Sequence, residues 1–300
     1  MAEPKMHADE VNIDGALVRR LLVAQFPEWS ALPIEPVYPR GTDNALYRLG
    51  DEMVARLPRI EGTVRTLQKE REWLPRLASS LPVAVPLPLA DGLPGEDYPF
   101  PWSVYTWLHG EPAHAERIRD PDRFASDLAG FVGALQRIES SGAPQPGKHN
   151  FGRGAPLATR DDATCAAIDA LRATIDADAF TGIWEEGLAA SEWTGTPVWV
   201  HGDLDARNIL VADGRLSAVI DFGALGIGDP AYDVMVVWKV LSADTRDVFR
   251  RALSVDDATW ARSRGLAVSQ AVIALAYYTL ETNAVLVREA EHWLREVLAE

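Results

Sequence analysis

Apolar positions follow one rhythm in the first third of the chain and another in the remainder. Ile13, Leu17, Leu21 and Leu22 recur at the spacing of one helical face, so Asp9 to Phe26 reads as a helix that Pro27 ends. Next come β-prone runs at Ile34 to Tyr38, Asn44 to Leu49 and Met53 to Leu57. They are punctuated by Pro39 to Asp43 and by Gly50-Asp51, which predicts an antiparallel meander. Thr63 to Ser79 reads as a helix with Leu67, Glu70, Leu74 and Leu77 on one face, and Pro75 predicts a kink or restart inside it. Val83 to Leu89 is proline-rich and extended, as an edge strand is. The β-prone run Trp102 to Leu108 then meets His109-Gly110-Glu111-Pro112, a connector of the kind a hinge requires.

Beyond that connector the pattern is helical. Phe124, Leu128, Phe131 and Leu135 mark a helix over Pro121 to Ile138, entered through Asp120-Pro121. The loop His149 to Gly154 and the charged run Thr159 to Asp162 precede a helical segment reaching about Ile175, and these loop residues are candidates to face a ligand. Further helices are predicted over Pro230 to Leu241, Asp256 to Tyr278 and Thr282 to Leu298. Asp229 fits as an N-cap, and Asp233 as a first-turn carboxylate bonding backbone amides of the loop before it.

The 300 residues, 47% apolar with ten tryptophans, suffice for a large core. Formal charge is -15, and most of it lies late: 11 Lys and Arg face 15 Asp and Glu before Leu108, against 18 and 29 from there on. Such a field argues against a nucleic-acid partner and favours cationic small molecules, although ordinary solubility explains it equally well. Cys165 is the single cysteine, which excludes an intrachain disulfide and any multi-cysteine zinc site and points to a reducing compartment. The opening MAEPKMHADE has no apolar signal-peptide core, and the run Ala271 to Tyr278 is too short to span a bilayer, so no membrane role and a cytoplasmic location are expected.

The candidate chemistry sits in VWVHGDLDARNILVADGRLSAVIDFGALGIGDPAYD, Val198 to Asp233. A short strand, Val198 to Val200, ends at His201-Gly202-Asp203, putting the Asp203 carboxylate where a buried strand gives way to a loop. Asn208 follows at the fifth position, and Ile209 to Val211 is folded back onto Leu216 to Ile220 by the Asp213-Gly214 turn. That hairpin returns Asp221 to the neighbourhood of Asn208 and Asp203. Two carboxylates and an amide oxygen are hard donors suited to Mg²⁺ with nucleotide phosphates. D-x4-N followed by D-F-G is a phosphoryl-transfer signature. His201 reads as a hydrogen-bonded structural residue.

In these motifs, HGDLDARN, IDFG and GDPAYD, the chain resembles the aminoglycoside phosphotransferase family, also called antibiotic kinase or choline kinase-like. The resemblance covers most of the chain. It implies an α+β, bilobal protein-kinase-like fold: residues 1–107 as a small antiparallel-sheet nucleotide lobe, and 108–300 as a helical lobe with catalytic loop, metal site and acceptor pocket. It implies ATP, or GTP, with Mg²⁺. Asp203 would be the base, Asn208 and Asp221 the metal ligands, Arg56 the phosphate-binding cation where relatives usually carry lysine, and Glu70 its partner, with Glu72 a competitor. Gly41 and Thr42 would cover the phosphates, and the backbone of Tyr105, Thr106, Trp107 and Leu108 would meet the adenine. Asp205-Ala206-Arg207 stands where many relatives have His-Pro-Gly, so Arg207 either supplies transition-state charge or pairs with Asp205. The function implied is transfer of a γ-phosphoryl group to a hydroxyl of a small molecule, an aminoglycoside or other cationic antibiotic, with antibiotic resistance as the association. The alternatives are a metabolic kinase of choline, homoserine or sugar type and a catalytically silent nucleotide-binding regulator. A protein kinase is disfavoured because the chain between Gly223 and Asp229 leaves no activation loop.

Overall fold

Asp14 opens the first helix, α1 (Gly15–Gln25), by accepting the Leu17 N–H at 2.8 Å, and the helix stops before Pro27. A computed structural model describes residues 10–38 and 43–299, so Gly41 and Thr42 lie outside the described residues. The chain divides into two units, Met1–Ser79 with Ala84–His109, and Ser80–Val83 with Gly110–Glu300.

The first unit is built on a five-stranded antiparallel sheet in the order β1-β2-β3-β5-β4. Its strands are β1 (Ile34–Pro36), β2 (Asn44–Leu49), β3 (Met53–Pro58), β4 (Pro88–Gly92) and β5 (Trp102–Thr106). Gly50, at φ 60°, makes the tight return between β2 and β3. Alternation along β3 separates two roles. Ala55 and Leu57 join Leu17, Leu21 and Leu22 of α1, Ala45 and Leu49 of β2, and Trp102 and Val104 of β5 in the core. Each fully buried leucine there contributes about 1.5–3 kcal/mol. Arg56, between them, points the opposite way to helix α2 (Val64–Ala78). That helix is continuous through Pro75, so no restart occurs there; Pro75 removes the single bond to the Arg71 carbonyl, with only Arg76, Leu77 and Ala78 after it. The edge strand begins at Pro88 and not at Val83. A bulge between Pro88 and Ala90 and the absent proline N–H suit a sheet margin.

In the second unit β6 (Glu111–Pro112), β8 (Ile209–Ala212) and β9 (Arg215–Val219) form one small sheet, and β7 (Val198–Val200) with β10 (Gly226–Gly228) another. Helix α3 (Pro121–Arg137), capped by Asp120, packs Phe124, Leu128, Phe131 and Leu135 inward. Helices α4 (Asp161–Leu171) and α5 (Ala177–Ala189) lie on the long α9 (Asp257–Tyr277). The stretch Ala177–Ala189 carries no sequence-based assignment. The predicted Pro230 to Leu241 helix is divided into α6 (Ala231–Val234) and α7 (Val237–Val240). The chain stays helical across the junction, but its bonds tighten to three-residue spacing, Val236 N–H to Asp233 O at 3.2 Å and Trp238 N–H to Met235 O at 3.2 Å. Four valines in that run disfavour a relaxed helix, and burial on every side removes the amphipathic stripe. Helices α8 (Ala243–Leu253) and α10 (Leu280–Leu298) complete the unit, with α8 against α3, and α10 against α7 and α9. Among the described residues no helix is long and apolar enough to cross a membrane.

Candidate active site

Strand β7 delivers His201 to the end of its sheet, and a carboxylate from α6 fixes it there. Asp233, fully buried, accepts the His201 N–H at 2.7 Å and the Gly202 N–H at 2.8 Å. Burial raises its pKa, opposed by the nearby His201 and by these two bonds. Gly202 adopts φ 80°, and a Cβ there would lie 2.9 Å from the Ala224 carbonyl, so the turn into Asp203 requires glycine. The His201 ring is buried against Phe222 with centroids 4.5 Å apart. Its Nδ1 accepts the Asp203 N–H at 3.2 Å, which leaves the proton on Nε2 to donate to the Ile220 carbonyl at 3.0 Å. Both nitrogens are engaged in holding backbone, the structural role expected for this residue.

Asp203 is half-buried, and Asn208 is bound to it: the amide Nδ2 donates to the Asp203 carbonyl at 2.8 Å and approaches its Oδ2 at 3.4 Å. The Asn208 carbonyl accepts the Ile220 N–H at 2.8 Å, in line with the Ile209–Val219 pairing of the hairpin. Asp213 and Gly214, at φ 53° and 79°, form the primed turn that closes it. Asp221 follows Ile220 directly, exposed and in left-handed backbone at φ 61°, with its Oδ1 accepting the Gly223 N–H at 3.4 Å. The Asn208–Ile220 bond of the hairpin therefore sets Asp221 next in line to Asn208, and Asn208 is in turn bonded to Asp203 at the end of the neighbouring β7. With its Nδ2 on Asp203, Asn208 turns its amide oxygen away as a hard donor, and the exposed Asp221 carboxylate is a second. Among the described residues no three His, Cys, Asp or Glu side chains gather as a metal centre, so two protein donors completed by phosphate and water fit Mg²⁺ better than an all-protein cage.

Arg207 is turned to the loop itself. Its Nη2 donates to Asp205 Oδ2 at 2.7 Å, and its Nε lies 3.2 Å from Glu289 Oε2 on α10. Asp205 also accepts the backbone N–H groups of Arg207 and Asn208 at 2.9 and 3.3 Å. Burial works against the Arg207 charge, but Asp205 and Glu289 outweigh it and push its pKa up. Of its two open roles, pairing with Asp205 is the one this geometry carries. Sequence reasoning missed two neighbours. Glu289 has its carboxyl pushed up to about 7, chiefly by burial. Lys239, buried in α7 with its ammonium 4.5 Å from the Trp293 ring centre, is lowered to about 8 by burial against the pull of Asp203 and Asp205. A single charge inside the apolar run VMVVWKVL was the available signal for Lys239.

In the first unit Arg56 Nη1 meets Glu70 Oε2 at 2.6 Å, with Glu70 fully buried. The competitor Glu72 instead faces Arg76. Asn44, with its amide turned, adds an oxygen 3.1 Å from Arg56 Nε. In the segment Tyr105 to Leu108, the Thr106 N–H is taken by Leu87 O at 2.9 Å and the Trp107 N–H by Glu52 O at 2.8 Å. The Tyr105 backbone is part of the sheet ladder, so the donor that this segment offers a base is narrowed to Leu108. Among the predicted loop residues of the second unit, Asp161 accepts the Trp184 indole N–H at 2.8 Å and anchors α4 to α5.

A sheet unit with an arginine–glutamate pair and a helical unit with an Asp–Asn–Asp hairpin together make this an α+β protein of the kinase-like class. Residues 36–266 match the model of the phosphotransferase enzyme family, and the chain belongs to that family. An aminoglycoside 3'-phosphotransferase from Escherichia coli is 22% identical over 142 residues, 47% of this chain; the match spans about half, 52%, of that enzyme. The GDP and kanamycin complex of APH(2")-IIia superposes with a TM-score of 0.72 at 21% identity, covering 94% of this chain and 98% of that one. The macrolide 2'-phosphotransferase MphH from Brachybacterium faecium superposes at 0.63 with 21% identity, covering 95% and 98%.

Proposed function

We propose that the protein is a small-molecule kinase, transferring the γ-phosphoryl group of ATP or GTP to a hydroxyl group. The observation that carries this reading is the hairpin that ties Asn208 to Asp203 on one side and to Ile220-Asp221 on the other. Asp203 orients the acceptor hydroxyl and takes its proton. Asn208 and Asp221 are the residues that would hold Mg²⁺, which when bound neutralises charge on the phosphates. Arg56, fixed by Glu70, binds phosphate oxygens, and the Leu108 N–H meets the base. Arg207 keeps the loop in place through Asp205. The residue ranges 1–107 and 108–300 are thereby read as the nucleotide lobe and the acceptor lobe, and the free, exposed Cys165 suits a reducing cytoplasm. The family and the neighbours' ligands put hydroxyl-bearing antibiotics first in a screen, so resistance by phosphorylation is the associated role.

The test is Asp203→Ala, read as ADP formation against a panel of hydroxyl compounds together with nucleotide affinity by calorimetry. Turnover falls by about 10²–10⁴ while nucleotide affinity changes less than about threefold. Unchanged turnover rejects the assignment.

A further inference from the structure

Helix α7 carries a charge that its surroundings do not call for. Lys239 stands in the run VMVVWKVL, where Val234, Met235, Val236, Val237 and Trp238 are all buried, and it is itself 3% exposed. Its ammonium has no hydrogen-bond partner among the described residues and lies 4.5 Å from the centre of the Trp293 ring. A cation taken out of water on those terms is costly, and an aromatic face offsets only part of the cost. Methionine or leucine would fill the same place without it, so packing alone does not account for a lysine here.

The catalytic loop is what surrounds this charge. Trp293 and Glu289 are four positions apart on α10 and share one of its faces, and α10 packs on α7. Glu289 lies 3.2 Å from Arg207 Nε, and Arg207 in turn holds Asp205, two residues after Asp203. Lys239 and Arg207 therefore rest on α10 residues one helical turn apart. At the other end of the α6–α7 segment, Asp233 takes the His201 and Gly202 amides that lead into Asp203. The charged groups around the ammonium are Asp203 and Asp205, which favour its charged form, Arg207 and Arg153, which oppose it, Asp233 of α6 and Glu289 of α10. Carboxylates outnumber guanidiniums there, so the ammonium balances a cluster that is otherwise acidic.

We propose that Lys239 is a positioning residue of the reaction: its buried ammonium holds the turn that carries Asp203 and Asp205 by charge, without a hydrogen bond to either carboxylate. The inference rests on the kinase reading for the reaction, and on the burial of an unpartnered cation behind the loop for the positioning. A charge in the low dielectric of an interior acts over longer distances than one in water, so it steadies the loop carboxylates without touching them. An acidic loop also repels the phosphate that must approach it. A fixed cation behind the loop lessens that repulsion and needs no rearrangement as the transfer proceeds. Lys239 meets no substrate and moves no proton; it acts through Asp203 and Asp205.

The test is Lys239→Met in the full chain, which keeps the length of the side chain and removes its charge. Turnover, followed as ADP formation with a hydroxyl compound that the wild type phosphorylates, falls at least about tenfold, while the KM for nucleotide changes less than about threefold. Hydrogen exchange of the amides of residues 203–208 quickens at least about threefold, yet urea unfolding at pH 7 shows no loss of stability, a combination that a packing role does not produce. Lys239→Arg, which keeps the charge, retains more turnover than Lys239→Met. The pH profile is a second readout. Burial lowers the pKa of Lys239 to about 8, so wild-type turnover falls as pH rises through that value toward the level of the Met variant, and the variant lacks this limb. Turnover and loop exchange in Lys239→Met equal to those of the wild type overturn the inference. A variant that fails to fold, or one that loses stability in step with turnover and keeps the limb, assigns Lys239 to packing and overturns it as well. A wild type that phosphorylates no hydroxyl compound sinks the kinase reading, and exchange of the 203–208 amides still decides whether Lys239 holds the turn.

Discussion

Asp233→Ala isolates what holds the catalytic turn. The carboxylate is fully buried and its two oxygens take one N–H each, from His201 and Gly202, both themselves buried. Alanine strands two donors that water cannot reach, at about 1–3 kcal/mol each. Removing a carboxylate whose charge burial disfavours returns a fraction of that, so the net loss is about 3–4 kcal/mol. Asp233→Asn keeps the shape and one acceptor but turns an NH₂ toward the other N–H, and costs about 2 kcal/mol. Against a total of about 5–15 kcal/mol, the alanine variant still folds at low temperature but has lost a large share of its margin. The assay is urea unfolding followed by tryptophan fluorescence, with ADP formation measured on the folded fraction. Turnover per folded molecule should also fall, more for Ala than for Asn, because Asp203 follows the loosened turn. A loss under about 1 kcal/mol with unchanged turnover refutes the view that this carboxylate positions the loop.

Other perturbations address separate parts. Glu70→Gln removes the charge that orients Arg56 and should raise the KM for ATP about tenfold with a smaller change in kcat; equal KM values would free Arg56 from the phosphate role. Gly202→Ala places a Cβ 2.9 Å from the Ala224 carbonyl in backbone at φ 80° and costs about 1–3 kcal/mol, checked by the same unfolding curve. Glu289 has its carboxyl raised to about 7, so the folded chain binds more protons than the unfolded one between about 4.5 and 7, and this residue makes stability fall as pH rises through that window. Glu289→Gln should flatten the slope by about 1–2 kcal/mol after allowing for solvent screening; a slope unaltered by the substitution would contradict the buried environment. Lys239, lowered to about 8, acts in the opposite sense: the unfolded chain binds the extra proton between about 8 and 10.5, so stability gains as pH rises there, and Lys239→Met should abolish the gain.

Local rules read well wherever the structure is itself local. Asp213-Gly214 takes the left-handed backbone that its composition demands, and the pairing it dictates sets Asn208 beside Ile220 and hence beside Asp221. Arg56 and Glu70 meet because a strand and the helix after it leave few ways to place an i and i+14 pair. Pro75 does not restart the helix because it removes one bond, to the carbonyl four residues back, while Leu74 and Leu77 on either side of it are buried and hold the last turns in place. Helix α5 escaped although Phe180, Ile183, Trp184 and Gly187 fall on one face: Thr181, Gly182 and Gly187 weaken the propensity that periodicity would otherwise support.

What stayed hidden is polar and distant. Asp229 and Arg262 lie 33 positions apart and Trp184 and Asp161 23, and no spacing rule spans such gaps; for Asp233 the first-turn pattern indicated bonds to backbone amides, and the fold alone identifies them as those of His201 and Gly202. Burial alone makes these bonds necessary, since each group withdrawn from water must find a partner or forfeit a large part of a hydrogen bond. Sequence shows that Arg207 carries a charge; only packing shows that Asp205 and Glu289 already claim it. The same distinction separates the two kinds of charge in this molecule. Matched pairs such as Asp229 with Arg262 hold elements together, and their desolvation is met from within. Lys239 is of the other kind: buried, with no hydrogen-bond partner for its ammonium among the described residues, it rests on the Trp293 ring and its pKa is lowered to about 8 by burial.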